Sequence, residues 1–169
     1  MQVNLANETR ADFRGRLSVK LCRNDLTVLE EAEYDVFQAA LTSSDVFAKT
    51  YTPENRYNCY LVATLYGEDG QKVFQKTALF VRPKYFEFLK PAIAVDFEKL
   101  DANTAKATVR SDVFAQRVYL DFANFDCVLS DNFFDAATDE VYKITFKTEK
   151  TAEELAANLQ IKSVYDIGV

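Results

Sequence analysis

The stretch Ser130-Asp131-Asn132-Phe133-Phe134-Asp135 places two adjacent phenylalanines inside a frame of short polar residues. Serine, aspartate and asparagine side chains hydrogen-bond neighbouring backbone amides, so they favour turns over regular strands or helices. Large aromatic side chains beside a turn are usually buried. The stretch therefore predicts a tight corner whose two rings, Phe133 and Phe134, pack into the core of a β-sandwich.

Strand-like patterns surround this corner in the second half of the chain. Alternating apolar and polar residues put one face of a strand inward and the other in water. Thr151-Ala152-Glu153-Glu154 matches a capping box, which predicts one helical turn. The predicted strands are Ile93 to Phe97, a run with Ala105, Ala107 and Val109, a run with Val118, Leu120 and Phe122, a run with Tyr142, Ile144 and Phe146, and a closing strand with Leu159, Ile161 and Tyr165.

The first half shows the same alternation. Phe13 to Leu21 is its clearest strand, and a short apolar strand at Val3 to Asn7 precedes it. Glu30 to Leu41 combines strand spacing with helix-favouring residues, and we predict a strand. Gly67-Glu68-Asp69-Gly70 predicts a hairpin turn, with a return strand at Lys72 to Val81. About six or seven short strands at this spacing are typical of an immunoglobulin-like sandwich.

Two prolines mark the boundary between the halves. Arg82-Pro83 and Lys90-Pro91 bracket a stretch that we expect to be an extended linker, because each proline restricts the residue before it. The prediction is an all-β chain of two tandem immunoglobulin-like β-sandwich domains, residues 1–84 and 85–169. The pentapeptide Ser-Asp-Val-Phe-Ala occurs at 44–48 and at 111–115, which favours similar elements at the two positions.

The composition argues against several classes of function. A net charge of −6 with scattered basic residues provides no electropositive surface for nucleic acid. No apolar run approaches the roughly 18 to 20 residues of a membrane-spanning helix, and no secretory leader opens the chain. Cys22, Cys59 and Cys127 are an odd number at wide spacing, interpreted as small buried hydrophobes of a reducing, cytoplasmic compartment. A disulfide between two of them stays open.

The chain contains no histidine, the commonest general base and transition-metal ligand. Hydrolase triads and zinc sites of the usual kinds are therefore excluded, and carboxylates are the remaining catalytic candidates. A glycosidase needs two facing carboxyl groups, one of them with a raised pKa. The acidic clusters instead resemble solvated strand edges or a helix start: Glu30-Glu31-Glu33, Asp139-Glu140 and Glu153-Glu154. We predict no catalytic residue and no cofactor.

Two binding functions need separate consideration. Asp131, Asn132 and Asp135 carry oxygens at a spacing that suits calcium, but the EF-hand order with its central glycine is absent, so turn capping and no metal is the prediction. Sugar binding would use exposed rings, and the chain has 9 tyrosines and 14 phenylalanines but no tryptophan. Most of these aromatics fall in phase with inward positions, so core packing is the preferred interpretation.

Several of these stretches occur together in the order of a known family. They are the Val3 to Asn7 strand with Phe13, Gly15 and Leu17, the Leu65 to Gly70 turn into Lys72-Val73, the Phe80-Val81-Arg82-Pro83-Lys84 linker, and Ser130 to Asp135 with Val141 behind it. Together they resemble the C-terminal region of glycoside hydrolase family 2 β-mannosidases, most specifically at the Asp-Asn-Phe-Phe-Asp corner. The family commonly continues with a leucine, proline and glycine turn, where this chain has Ala136-Ala137-Thr138-Asp139.

The resemblance implies a non-catalytic role. In that family two such sandwiches follow a (β/α)8 barrel that carries both catalytic glutamates, and no position of this chain matches either glutamate. The implied function is to brace the catalytic barrel of an exo-glycosidase that hydrolyses terminal β-mannosyl residues. The alternative is an independent carbohydrate-binding or surface-adhesion module, which would show an exposed row of tyrosines. A free-standing enzyme would need a cleft with two close carboxyl groups.

Overall fold

The computed structural model describes residues 1–168 as two compact units, each with its own core. The first domain comprises residues 1–23 and 27–82, and the second comprises residues 24–26 and the chain from Pro83 onward. Within residues 1–168 there are twelve strands, one seven-residue α-helix and two short 3-10 helices. The predicted fold class, all-β with two tandem sandwiches, is confirmed.

The first domain contains six strands: β1 (Gln2–Asn7), β2 (Phe13–Arg23), β3 (Val28–Gln38), β4 (Thr42–Ala48), β5 (Cys59–Gly67) and β6 (Lys72–Leu79). A four-stranded antiparallel sheet, in the order β3-β2-β5-β6, stacks against a two-stranded sheet of β1 and β4. The ambiguous region Glu30 to Leu41 is strand, as predicted, as far as Gln38, because β2 pairs with β3 over ten positions. The prediction is wrong for residues 39–41, which form the turn before β4. The core forms where Leu17 and Val19 of β2 meet Leu65 and Ala63 of β5.

Two glycines are required by this geometry. Gly15 lies where a Cβ atom would stand 2.1 Å from the backbone oxygen of Tyr66, so the backbones of β2 and β5 approach closely only because no side chain is present. Gly70 closes the predicted β5–β6 hairpin turn with φ of 74°, and its amide donates to Gly67 O at 2.9 Å. The turn prediction is therefore confirmed.

The elements of the second domain are β7 (Ile93–Asp101), β8 (Thr104–Ser111), β9 (Ala115–Phe122), β10 (Phe134–Ala136), β11 (Tyr142–Lys147), α1 (Ala152–Asn158) and β12 (Leu159–Lys162). Its strands form two three-stranded sheets, ordered β11-β8-β7 and β10-β9-β12. Helix α1 begins at the predicted capping box, where Thr151 and Glu154 each accept a hydrogen bond from the other's backbone amide. Leu155 of this helix is fully buried in the core.

Three further sequence expectations are wrong. The predicted extended linker contains a 3-10 helix at Pro83–Tyr85, closed by a bond from Phe86 N to Pro83 O. Tyr165 lies in a 3-10 helix, Val164–Ile167, and not in the closing strand, because β12 ends at Lys162. The repeated pentapeptide forms unlike elements, since residues 44–48 lie within β4, while residues 111–115 run from the last residue of β8 to the first residue of β9. Among residues 1–168, no helix has the length and apolar character needed to cross a bilayer.

Candidate functional site

The polar side chains of the Ser130–Asp135 corner bind the backbone of neighbouring strands. The carboxamide of Asn132 accepts a hydrogen bond from Leu120 N and donates one to Leu120 O, both at 2.9 Å. Asp135 Oδ1 accepts from Arg117 N at 2.8 Å, and Ser130 Oγ accepts from Thr145 N at 2.9 Å. The side chain of Asn132 therefore extends the pairing between β10 and β9 beyond the Phe134–Val118 pair.

The two phenylalanines of the corner do not both enter the core, which corrects the sequence expectation. Phe134 begins strand β10, packs against the core and stacks on Tyr142 with ring centroids 4.8 Å apart. Phe133 is 62% exposed and stacks on Tyr119 at 4.8 Å, on the outer face of the sheet. The expectation that the corner holds no strand is likewise wrong from Phe134 onward.

Backbone conformation explains why Phe133 faces outward. Its φ is +61°, in the left-handed region that a bulky residue rarely adopts. The carboxamide oxygen of Asn132 accepts from Phe133 N at 3.1 Å, and this local bond supports the turn. Arg117, on the adjacent strand, also has a positive φ, of 52°. In the sequence, Asp131-Asn132 indicates the turn but does not show which of the two phenylalanine rings faces outward.

Each side chain considered for calcium has one oxygen that accepts a hydrogen bond from the backbone. Asp131 Oδ1 accepts from Asn132 N at 2.8 Å, in addition to the bonds of Asn132 and Asp135 to β9. Within residues 1–168, no group of three or more histidine, cysteine, aspartate or glutamate side chains is arranged to hold a metal ion. These side chains thus act chemically as turn caps.

Two of the three acidic clusters, Glu30-Glu31-Glu33 and Glu153-Glu154, form surface ion pairs and a helix cap respectively. Glu31 pairs with Lys20 at 3.1 Å and Glu33 with Arg16 at 3.3 Å along the β2–β3 pair. Backbone hydrogen bonds at the start of α1, followed by bonds to Thr151 and Lys150 respectively, lower the pKa of Glu153 and Glu154. A lowered pKa is opposite to the raised value that a glycosidase general acid requires.

An apolar cleft in the first domain is the feature that sequence reasoning missed. The first-domain cleft has a volume of about 540 Å³ and lies between β1 and the inner faces of β5 and β6. Its lining includes Val3, Leu5, Leu65, Phe74, Ala78 and Phe80. The cleft exists because the β1–β4 sheet has two strands over a sheet of four.

The cleft leaves a large apolar side chain of β6 in contact with solvent. Phe74 lies opposite Leu65 in the β5–β6 register and is 59% exposed. The sequence predicts a strand from Lys72 to Val81, and that pattern alone does not reveal the exposure of Phe74. The residue that could have indicated this exposure is Lys76, which occupies the next inward position after Phe74 and lies opposite Ala63. A lysine at an inward position indicates that this part of the sheet is not covered by the chain itself.

Comparisons with known proteins agree on this two-domain arrangement. Residues 1–85 match the model of the mannosidase Ig/CBM-like domain, and residues 88–167 match an Ig-fold domain model. A β-D-mannosidase from Dictyoglomus thermophilum is similar over 96% of this chain and 20% of its own, with 18% identity and a TM-score of 0.86. The exo-chitosanase CsxA from Amycolatopsis orientalis is similar over 96% of this chain and 24% of its own, with 13% identity and a TM-score of 0.68. No curated protein sequence matches the chain.

Proposed function

We propose that this chain, which belongs to the mannosidase Ig/CBM-like domain family, braces the catalytic domain of a longer glycoside hydrolase. Its two domains are Ig/CBM-like accessory domains of the kind found in mannosidase-type glycoside hydrolases. The chain spans about a fifth of the length of the similar β-D-mannosidase and about a quarter of that of the exo-chitosanase. The proposed partner is therefore the catalytic domain of the same polypeptide.

The first-domain cleft is the observation that supports bracing. An apolar cleft that ends in a half-exposed phenylalanine is costly to leave in water and is typical of a surface that another domain covers. Phe74 alone leaves roughly 100 Å² of apolar surface for a partner, which at about 25 cal/mol per Å² is worth about 2.5 kcal/mol. Covering this ring would stabilise the partner and the first domain together.

The proposed substrate of the whole enzyme is a terminal β-mannoside. The match to the mannosidase Ig/CBM-like model and the similarity to a β-D-mannosidase support this choice. An exo-β-D-glucosaminidase activity, which is that of the similar CsxA, is the competing possibility. Hydrolysis of p-nitrophenyl β-D-mannoside and p-nitrophenyl β-D-glucosaminide by the full-length enzyme separates the two. Turnover of the glucosaminide alone would contradict the proposal.

The bracing role is tested by thermal melting and activity of the full-length enzyme with and without residues 1–169. We expect the shortened enzyme to melt at a lower temperature and to lose activity on heating sooner. A sharper test uses Phe74→Ser, with Phe37→Ser as the matched control, because Phe37 is 48% exposed but does not line the first-domain cleft. Phe74→Ser should destabilise the full-length enzyme and leave the isolated chain nearly unchanged. Equal effects of the two substitutions on the full-length enzyme would argue against bracing through this cleft.

A further inference from the structure

The second domain presents a stacked pair of rings on the outer face of its β10-β9-β12 sheet. Tyr119 and Phe133 lie nearly parallel, with centroids 4.8 Å apart and planes inclined by 26°, and Phe133 is 62% exposed. The pair is held in place, because Asn132 binds both backbone groups of Leu120 beside Tyr119. A ring fixed in this way loses little conformational entropy when a ligand binds to it.

Polar side chains surround the ring pair on the same face. Val118, Leu120 and Phe122 are buried, so Tyr119 and Asp121 of β9 point to the opposite side of the sheet. In the β12–β9 register, Lys162 lies opposite Tyr119 and Gln160 lies opposite Asp121. Leu159 and Ile161 pack against the core, which places Gln160 and Lys162 on the outer face as well. A carboxylate, a carboxamide and an ammonium group therefore border the rings.

The carboxylate of this face also interacts with the tyrosine. Desolvation, followed by the charge of Asp121 and its hydrogen bond with the tyrosine hydroxyl, raises the pKa of Tyr119. The hydroxyl stays protonated at neutral pH, so Tyr119 contributes a neutral ring. Asp121 Oδ1 accepts from Phe122 N at 2.9 Å, which fixes the carboxylate against the strand. The face combines stacked rings with one carboxylate held against the strand.

We propose that this face, defined by Tyr119, Phe133, Asp121, Gln160 and Lys162, is a binding platform for one sugar ring of an oligosaccharide. A pyranose has an apolar face of C–H groups and a rim of hydroxyls that both donate and accept. The exposed Phe133 ring suits the apolar face, and the three polar side chains suit the hydroxyl rim. A protein partner would favour a larger contiguous apolar patch than a ring bordered by acid, amide and lysine.

Sugar binding at this platform is a function beyond bracing. The platform lies in the second domain, whereas the cleft lies in the first. Only the choice of glycan rests on the proposed function, since a mannan fragment is the natural probe if the parent acts on β-mannosides. The strained backbone at Phe133 is consistent with a ligand site, because such residues cluster where a side chain must be presented in one orientation.

Titration of isotope-labelled chain 1–169 with β-1,4-mannohexaose and with chitosan hexamer, followed by NMR, tests the platform. We expect shifts at the amides of β9, β12 and Phe133 with one of the glycans, at a dissociation constant in the millimolar range. Phe133→Ala should weaken binding roughly tenfold, the equivalent of one aromatic stacking contact, while Phe133→Tyr retains it. Asp121→Asn should also weaken binding without altering the rings, and Phe74→Ala in the first domain should leave binding unchanged.

Two results would overturn the platform. One is the absence of shifts with both glycans at about 20 mM, a concentration well above the expected dissociation constant. The other is binding that neither Phe133→Ala nor Asp121→Asn changes, because the glycan would then lie elsewhere. The NMR spectra report the folding of each variant in the same samples. Glycan binding is measured without the catalytic domain, so a failure to bind glycan would not contradict the bracing proposal. Likewise, a negative result in the deletion test of bracing would not contradict the platform.

Discussion

Replacing Asn132 by alanine should destabilise the second domain more than the loss of any other polar side chain in the Ser130–Asp135 corner. The carboxamide satisfies both the N–H and the C=O of Leu120, whose side chain is 2% exposed. Two net hydrogen bonds are worth about 1 kcal/mol each, and leaving partly buried backbone groups unpaired adds to that loss. We expect a destabilisation of about 2 to 3 kcal/mol, which lowers the melting temperature of a domain this size by roughly 10 to 20 °C.

Amide hydrogen exchange at Leu120 gives the most specific readout of this substitution, because the bond from Leu120 N is the one removed. Calorimetry of chain 1–169 measures the accompanying loss of stability, and the transition of the first domain serves as an internal reference. Asp131→Ala is the matched control, since it removes only an exposed bond to the adjacent amide. A melting temperature within about 2 °C of the wild type for Asn132→Ala would refute the reasoning.

Three further predictions concern the backbone, the helix cap and the thiols. Gly15→Ala should destabilise the first domain by about 3 kcal/mol or more, measured by urea titration, because the new Cβ atom would clash with Tyr66 O. Gly70→Ala should cost only about 1 kcal/mol, because Gly70 has a φ of 74° but no atom within 4 Å of the new Cβ position. Thr151→Ala should cost about 1 kcal/mol of folding stability. Because the folded chain lowers the pKa of Glu153 and of Glu154, the contribution of these carboxylates to stability is present above the ordinary carboxyl pKa of about 4 and is lost as the pH falls through the pKa values of the folded chain. Ordinary pKa values for both groups, measured by NMR titration, would contradict this. Burial raises the pKa of Cys22 to about 11, so its thiol should resist iodoacetamide at about pH 8 while the chain is folded. In the unfolded chain all three thiols, those of Cys22, Cys59 and Cys127, should react without reductant. Rapid labelling of native Cys22, or a disulfide found by mass spectrometry, would contradict this prediction.

Strand periodicity and local caps could be predicted from the sequence because they depend on near neighbours. Leu17 and Val19 are buried as alternation requires, and Thr151 and Glu154 form the capping box that their spacing predicts. The orientation of Phe133 could not be predicted in this way. A single residue with positive φ reverses the alternation, and the sequence gives no indication of which of two adjacent phenylalanines adopts it.

The first-domain cleft shows a second limit of sequence reasoning. Phe74 has the period of an inward residue, and it does face the inner side of its sheet. Whether that side is covered depends on how many strands form the opposing sheet, and only two of them, β1 and β4, do so here. Strand number in the opposing sheet is a property of the whole domain, which local patterns around Phe74 do not encode.

Hydrogen exchange of the β6 amides, Lys72–Leu79, compared between the full-length enzyme and chain 1–169, tests the bracing claim most directly. If the catalytic domain covers the first-domain cleft, these amides should exchange at least about tenfold more slowly in the full-length enzyme, because local opening there becomes coupled to separation of the two domains. Equal exchange rates in the two proteins would contradict the account, since the cleft would then be as open beside the catalytic domain as it is in the isolated chain.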